Sequence, residues 1–324
     1  MKAKVSVVMS VYNSASYLRE AIDSILNQTF VNFEFIIVND GSHDDSETII
    51  RSYNDNRITL LNQQNTGLPS ALNYGIERSS TEFIARMDAD DIALPDRLEL
   101  QYEFLIHNTG YVIVGGNAHI IDKDGSYVYT SDLKVDDEEI RKVFPKSPFI
   151  HPSVMFRKSA YFKSGKYPEY MFIAQDRVLF NRMAVCGKMA NLNNCLIKYR
   201  IVPTSNSLKD KKKLKLFESI VVKSINHNCI SAKDHAFIHS LISKRDSKER
   251  LLQYHTLLAK KYLWNNFKPR LAQENIRRSM KIVPFSKELW VLLLLSYLPQ
   301  SSIKFIYGMT KLFLQRFRTI LYSI

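Results

Sequence analysis

Three short apolar runs, each ending in polar residues, restrict the fold of this chain more than any other feature of its sequence. The first run, 5–11, is rich in β-branched residues, and the second, 33–38, follows a stretch of helical periodicity. The third run, 83–85, leads into the acidic segment 88–91. Continuous apolar runs of this length are typical of strands that are buried on both faces of a sheet. The pattern therefore predicts an α/β protein with an open sheet flanked by helices.

The polar residues after these runs predict where a ligand binds. An open α/β sheet takes its ligands beyond the carboxyl ends of its strands. Tyr12 and Asn13 follow the first run, Asp40 follows the second, and the acidic segment 88–91 follows the third. We therefore expect Asp40 and the acidic segment to converge on one crevice.

Asp88, Asp90 and Asp91 place three carboxylates within four residues. Carboxylates so close together repel one another, and their charged forms need a cation or several hydrogen-bond donors nearby. A hard divalent cation held through oxygen, Mg²⁺ or Mn²⁺, is the simplest explanation. An acidic loop that is merely solvated is the alternative.

Four segments of the chain resemble the family 2 glycosyltransferases, which have the GT-A fold. They are 5–13, 38–42, 65–73 and 85–91, in the family's order and at its usual spacings. Each segment alone is weak evidence, but the four together are specific. The resemblance covers about residues 1–205.

The resemblance implies a GT-A catalytic domain over residues 1–207. The implied sheet is open, mixed and flanked by helices. The Rossmann-like, sugar-nucleotide-binding half is 1–110 and the acceptor half is 111–207. A basic, mostly helical region then occupies 208–324. Charge supports this division, because residues 201–324 contain 23 Lys and Arg but only 7 Asp and Glu. We expect an anionic partner for this last region.

A basic amphipathic helix is predicted at the carboxyl end. At about 100° per residue, one broad arc is apolar, and Lys304, Lys311 and Arg318 gather opposite it. The arc contains Ile303, Ile306, Met309, Leu312, Phe313, Phe317, Ile320 and Ile324, with Arg316 as the one misfit. Such a helix fits the anionic cytoplasmic face of an inner membrane, as a peripheral attachment. Packing on the catalytic domain is the alternative.

A membrane-spanning segment and a nucleic-acid partner are both disfavoured for the basic region. The apolar run 290–298 is far shorter than the roughly 20 residues that a bilayer span needs. Nucleic acid is not expected as a partner, because no recognition motif accompanies the positive charge.

The resemblance also implies the donor site. Asp40 would accept a hydrogen bond from the donor's base, commonly uracil, or would alternatively cap the helix that follows it. Asp88 would contact the ribose, and Asp90, together with Asp88, would hold the metal. Arg86 would face the donor site or form a surface ion pair. The implied donor-site residues are Tyr12, Asn13, Asp40, Asn65, Gly67, Arg86, Asp88, Ala89, Asp90 and Arg200.

The acceptor site is implied by the segment 174–182, which resembles the family's acidic motif at the start of a helix. The usual Glu-Asp pair appears here as Gln175 and Asp176. Asp176 keeps the acid that generally serves as the catalytic base, and a helix cap is the alternative role. His151 would contact the acceptor or the leaving phosphate, unless its role is structural.

These residues predict an inverting, metal-dependent glycosyltransferase. It would move a hexose, with galactose or glucose favoured, from a UDP-sugar to a lipid-linked, polyprenyl diphosphate saccharide in O-antigen or capsule synthesis. The alternatives are a protein or other glycan acceptor, a sugar-nucleotide nucleotidyltransferase, and a non-catalytic membrane-binding protein. A nucleotidyltransferase typically has a glycine-rich basic loop after its first strand, and segment 12–16 contains neither glycine nor a basic residue.

Overall fold

The computed structural model of the protein describes residues 2–203, 211–227, 229–243 and 246–309. The strands are β1 (Val5–Val11), β2 (Phe33–Asp40), β3 (Ile58–Gln63), β4 (Phe83–Asp88), β5 (Ile92–Ala93), β6 (Tyr111–Ile121), β7 (Tyr127–Thr130), β8 (Met155–Arg157) and β9 (Lys188–Arg200). The helices before β9 are α1 (Ala15–Leu26), α2 (Ser46–Arg51), α3 (Leu68–Arg78), α4 (Arg97–His107), α5 (Asp137–Arg141), α6 (Lys158–Lys163) and α7 (Gln175–Met183). The helices after β9 are α8 (Lys211–His227), α9 (Ala232–Ser243), α10 (Ser247–Trp264), α11 (Pro269–Met280) and α12 (Lys287–Leu295).

The strands form one mixed sheet in the order β3-β2-β1-β4-β8-β6-β9-β5, with β7 beside β6. β1 pairs in parallel with both β2 and β4, and β2 pairs in parallel with β3. β8 is antiparallel to both β4 and β6. The three apolar runs of the sequence are β1, β2 and β4, so the prediction of an open mixed sheet flanked by helices is confirmed. Their carboxyl ends lie side by side.

Alternate residues of the parallel strands contribute to two different cores. Val7 and Met9 of β1 pack with Leu18 of α1, whereas Val8 packs with Ile76 of α3. All five side chains are buried. Because helices cover both faces of the strand, both of its side-chain rows must be apolar, which is why the run is continuous rather than alternating.

The chain divides into two compact units. The described part of the first contains residues 2–119 and 130–200 together with helices α8 and α9, and that of the second contains 120–129, 201–203 and 246–309. α8 and α9 join the first unit through a small apolar core in which Phe217 and Ile238 pack with Met171 and Val178. The sequence interpretation assigned these two helices to the basic carboxyl-terminal region.

The second unit contains α10, α11 and α12. Polar pairs lie buried between α10 and α11, where His255 Nδ1 is 2.8 Å from Asn275 Oδ1 and Thr256 Oγ1 is 3.3 Å from Ser279 Oγ. Partnered polar groups of this kind fix the pairing of two helices more specifically than apolar contact alone. Among the described residues, no helix combines the length and the apolar character needed to cross a bilayer.

Residues 300–309 form the described start of the predicted amphipathic tail. Ile303 is buried, Tyr307 stacks on Trp264 with ring centroids 5.8 Å apart, and Lys304 lies over the ring of Phe267. These three contacts lie within the second unit, whereas Phe305 and Met309 are exposed. Whether the tail attaches to a membrane or to the catalytic domain therefore stays a prediction. The rest of the predicted arc and the basic residues Lys311 and Arg318 lie outside the described residues.

Close packing of α3 on the sheet gives the first prediction. A Cβ at Gly75 would lie 2.7 Å from Val8 Cγ1 and 3.0 Å from Val38 Cγ2. Gly75→Ala should therefore lower the free energy of unfolding by about 1 to 3 kcal/mol, although alanine normally favours a helix. Denaturant unfolding measures the change.

Gly110→Ala is the matched control, because a Cβ at Gly110 would meet nothing within 4 Å. Its effect should stay within about 0.5 kcal/mol. Equal stability of the two variants would contradict the packing described for α3.

Candidate active site

The ends of β1 and β2 are joined by side-chain hydrogen bonds. The Asn13 backbone N–H donates to Ser42 Oγ at 3.1 Å, and Asn13 Oδ1 accepts from the His43 N–H at 2.8 Å. Asn13 adopts a positive φ of 50°, a conformation that asparagine tolerates better than most residues. Tyr12 is exposed next to this junction. The predicted donor-site residues after β1 and β2 are thus brought together.

Asp40, at the end of β2, is buried and holds the loop that precedes α3. Its carboxylate accepts hydrogen bonds from Gln63 Nε2 at 2.7 Å, the Thr66 N–H at 2.9 Å and the Gly67 N–H at 3.0 Å. Gly67 has a φ of 91°, which favours glycine. Asp40 could alternatively cap α2, the helix after Gly41. Its hydrogen bonds instead go to Gln63 and to the residues just before α3. Contact with a nucleotide base stays a prediction.

A surface cleft lies beside this loop and is lined by Gly41, His43 and residues 62–65, including the predicted Asn65. Gly41 has a φ of 71°, and a Cβ there would lie only 2.8 Å from the backbone nitrogen of Asn65. Only glycine lets these two loops approach so closely.

Asp88, Asp90 and Asp91 form a compact acidic group, which we call the acidic triad. One oxygen from each carboxylate lies within 4.8 Å of the others. Burial and the charge of Asp88 raise the pKa of Asp90 to about 6, and burial together with the charges of Asp90 and Asp88 raises the pKa of Asp91 well above its usual value. Asp91 Oδ2 is buried and has no hydrogen-bond partner among the described residues. Crowded carboxylates with an unsatisfied oxygen fit a hard divalent cation.

Arg86 lies in β4, two residues before Asp88 and therefore on the same face of the sheet. It is 2% exposed and forms an ion pair with Asp88, whereas its Nε and Nη1 have no hydrogen-bond partner among the described residues. Burial alone would lower the pKa of Arg86, but the charge of Asp88, with smaller effects of Tyr167 and Asp91, raises it. Arg86 is thus a buried, charged guanidinium with unused donors, and the surface ion pair considered as its alternative is wrong.

Arg97, a second buried arginine, was missed by the sequence interpretation. Its Nη2 donates to the backbone oxygen of Arg86 at 2.6 Å, and its Nη1 lies 3.3 Å from the sulfur of Met87. Burial and the charge of Arg86 lower the pKa of Arg97 to about 9. A charged residue at the start of a helix usually faces solvent, so nothing in the local sequence distinguished this one.

Arg200, at the end of β9, braces the acidic triad. Its backbone N–H donates to Asp91 Oδ1 at 2.7 Å, its Nε donates to the Asp90 carbonyl at 2.8 Å, and its Nη2 pairs with Glu20 at 2.5 Å. The structure therefore places the predicted Arg200 beside the predicted metal site. Glu20, on α1, was not predicted.

Asp176 lies in the first turn of α7 and is partly buried. Burial raises the pKa of Asp176, although a hydrogen bond from the Arg177 backbone and the charges of Arg177 and Arg86 oppose the increase. Ser147 also hydrogen-bonds to this carboxyl group. A carboxylate with a raised pKa is a better proton acceptor, as a general base requires.

His151 begins a short 3-10 turn before β8. Its Nε2 lies 2.7 Å from the Tyr167 hydroxyl, and burial together with the charge of Arg86 lowers the pKa of His151 well below its usual value. The imidazole is therefore neutral at pH 7. Tyr167 was not predicted, because a tyrosine in a loop carries no signal of a distant partner.

The charge of Arg86 connects the donor and acceptor sides of the site. The groups whose pKa it shifts are Asp90, Asp91, Arg97, His151, Tyr167, Asp176 and Tyr199. The metal-ligand candidates and the predicted base therefore surround one buried cation.

Known proteins share these features. The sequence profile of Glycosyl transferase family 2 matches residues 6–165. A glycosyltransferase of Methanocaldococcus jannaschii, itself uncharacterized, is 37% identical over 231 residues, which are 69% of this chain and 79% of that protein. The O-antigen biosynthesis glycosyltransferase WbnJ of Escherichia coli is 36% identical over 205 residues, 61% of this chain and 79% of WbnJ. The structure of S. aureus TarS 1-349 in complex with UDP resembles this one with a TM-score of 0.53 at 14% identity, covering 86% of this chain and 88% of that chain.

The mixed α/β sheet flanked by helices, together with the likeness to TarS, shows the GT-A fold. The chain belongs to glycosyl transferase family 2. The predicted family, the GT-A fold and the enzyme class are thereby confirmed. Enzymes of this family generally use a divalent metal, and the oxygen ligands of the acidic triad fit one. The choice between Mn²⁺ and Mg²⁺ stays a prediction.

Crowding in the acidic triad predicts a conflict between stability and metal binding. The pKa of Asp90 is about 6 in the folded protein and roughly 4 in an unfolded chain. At pH 7 its charge is less stable in the folded state, so Asp90→Asn should raise the free energy of unfolding of the metal-free protein by about 1 to 3 kcal/mol. As the pH falls through 6 towards 4, the folded wild type takes up the proton and the difference should vanish.

Denaturant unfolding with a chelator, between about pH 4 and pH 8, measures this difference. Added Mn²⁺ should then stabilise the wild type and not Asp90→Asn. Asp132→Asn, which changes an exposed aspartate outside the triad, is the control and should respond to neither pH nor metal in this way. A variant that is less stable than the wild type at pH 7 would contradict the repulsion described here.

Proposed function

We propose that the protein is an inverting, metal-dependent hexosyltransferase. It moves glucose or galactose from a UDP-sugar to a saccharide on a polyprenyl diphosphate carrier, in the synthesis of a surface polysaccharide. The observation that carries the proposal is the position of the acidic triad and Asp176 around the buried charge of Arg86. Similarity to WbnJ, an O-antigen biosynthesis glycosyltransferase, supports the acceptor class.

Asp88 and Asp90 would hold the metal ion, Mn²⁺ or Mg²⁺. When bound, the cation neutralises the donor diphosphate and makes UDP a better leaving group. Arg86, whose Nε and Nη1 have no partner among the described residues, adds a fixed positive charge. Arg200 would add a second, while Asp40 would accept a hydrogen bond from uracil. The remaining donor contacts proposed are those of Tyr12, Asn13, Asn65, Gly67 and Ala89.

Asp176 would act as the base. In a single displacement, the acceptor hydroxyl gives its proton to the Asp176 carboxylate as its oxygen bonds to the anomeric carbon, and the bond to UDP breaks on the opposite face. The raised pKa of Asp176 favours this transfer. His151, neutral and hydrogen-bonded to Tyr167, would position the acceptor.

The proposed location is the cytoplasmic face of the inner membrane, where polyprenyl-linked saccharides would be met. Residues 201–324 contain 23 basic and 7 acidic residues, a balance that suits a peripheral attachment to anionic lipid. Nucleic acid is not proposed as a partner.

The donor is tested with a panel of nucleotide sugars. With Mn²⁺ and a lipid-linked acceptor, UDP-glucose or UDP-galactose should release its nucleoside diphosphate faster than UDP-N-acetylglucosamine or GDP-mannose does, and a chelator should stop the release. Coupled assays of nucleoside diphosphate measure these rates, and NMR of the product reports the anomeric configuration. Preference for GDP-mannose would contradict the uracil role of Asp40, and a retained configuration would contradict single displacement.

The base is tested with Asp176→Asn. This variant should bind donor nearly as the wild type does but transfer sugar about 10² to 10⁴ times more slowly, the scale of general-base catalysis. Glu169→Gln is the matched control, because Glu169 Oε1 accepts a hydrogen bond from Asn73 Nδ2 at 3.0 Å and has a structural partner. The assignment fails if Glu169→Gln is the slow variant and Asp176→Asn is not.

A further inference from the structure

The second unit exposes six large apolar side chains that lie close together in sequence, and we call them the α12 surface. Its members, from the loop before α12, the helix itself and the residues after it, are Val283, Phe285, Trp290, Val291, Leu294 and Tyr297. Phe285 is 91% exposed and Leu294 is 69% exposed. Single exposed apolar residues are normal in proteins, but a cluster of six marks an interaction site.

α12 is apolar on both of its sides. Leu289 and Leu292 are buried on the inner side, whereas Trp290, Val291 and Leu294, spaced one and four residues apart, are exposed on the outer side. The inner side alone is sufficient to attach the helix to its unit. Apolar residues on the outer side therefore need another explanation, since a helix at a protein surface normally presents polar residues to water.

A hydrogen bond joins the loop and the helix into one surface. Trp290 Nε1 donates to the backbone oxygen of Pro284 at 3.0 Å, which places the indole beside the loop that carries Phe285. Because the only polar atom of the indole already has a partner, the rest of the ring can enter an apolar phase without losing a hydrogen bond to water.

Basic residues surround this sequence. Segment 265–309 contains seven Lys and Arg but only two Asp and Glu. Arg277, Arg278, Lys281 and Lys287 are exposed. A second copy of the chain would bring like charges together at such a surface, so the partner must be negatively charged. Exposed tryptophan and tyrosine with flanking basic residues are the combination found at the surface of a bilayer.

We propose that the α12 surface docks on an anionic phospholipid bilayer, with α12 in the plane of the interface. The proposal rests on the proposed function, which takes its acceptor from a membrane, and it names the residues that bind that membrane. With nine residues, α12 is too short to span a bilayer and long enough to lie on one. The α12 surface precedes the predicted tail, whose first apolar residue, Ile303, is buried.

The first test compares two double variants of the full chain. Phe285→Ser with Leu294→Ser removes the two most exposed members of the α12 surface, and Val31→Ser with Val185→Ser removes two exposed valines of the first unit as the control. Binding to vesicles of phosphatidylglycerol and phosphatidylethanolamine is measured by sedimentation. The α12 variant should bind about tenfold or more weakly and the control within about twofold. High salt should weaken wild-type binding without abolishing it.

The second test uses the two tryptophans of the chain as probes. Trp264→Phe leaves only Trp290, and Trp290→Phe leaves only Trp264, which stacks on Tyr307 within the unit. On vesicles that contain brominated phosphatidylglycerol, the emission of Trp290 should be quenched and that of Trp264 should not.

Three results would overturn the proposal. The first is unchanged vesicle binding by the α12 variant. The second is quenching of Trp264 rather than Trp290. The third is a wild type that ignores vesicles but self-associates in sedimentation velocity through the α12 surface. Transfer to a short water-soluble acceptor, measured on the same variants, tests the proposed function separately, because that reaction needs no membrane.

Discussion

The buried charge of Arg86 is the interaction on which the rest of the site depends. A guanidinium that is 2% exposed would be strongly destabilising without carboxylates near it, and Asp88, Asp91 and Asp176 supply them. In turn, the charge of Arg86 opposes the increase that burial causes in the pKa of Asp91 and of Asp176. The strand that carries Arg86 is β4, whose central place in the sheet, between β1 and β8, fixes the guanidinium between the parallel strands and the antiparallel ones.

Two further arginines fix the positions of Arg86 and of the carboxylates near it. Arg97 donates a hydrogen bond to the Arg86 carbonyl of β4. Arg200 donates hydrogen bonds to Asp91 and to the Asp90 carbonyl in the acidic triad. Arg200 uses its backbone N–H as well as its side chain, so the acidic loop is positioned before any ligand arrives. Catalysis benefits from such preorganisation, because fixed charges need not reorient when charge develops on the diphosphate.

The parts of the fold that sequence could predict are those with a local cause. β1, β2 and β4 are buried on both faces, and their continuous apolar runs follow directly from that. The acidic triad could also be predicted, because its three carboxylates lie within four residues of the sequence. The sequence did not predict the roles of Arg97, Tyr167 and Glu20. Each contacts a residue far away in sequence, and no local pattern indicates such a contact. The placement of α8 and α9 with the sheet likewise depends on contacts with Met171 and Val178.

The predicted tail and α12 differ in how their apolar residues are distributed around the helix. Amphipathic periodicity in a sequence indicates a helix with one apolar side, and the predicted tail that begins at Ile303 has this periodicity. α12 has two apolar sides, so its sequence resembles a buried helix. Only the structure shows that Leu289 and Leu292 satisfy the interior while Trp290 and Leu294 remain outside. The inner side of such a helix holds it in its unit, and its outer side stays available for a second apolar phase. A helix with only one apolar side would have to leave its unit to bind that phase.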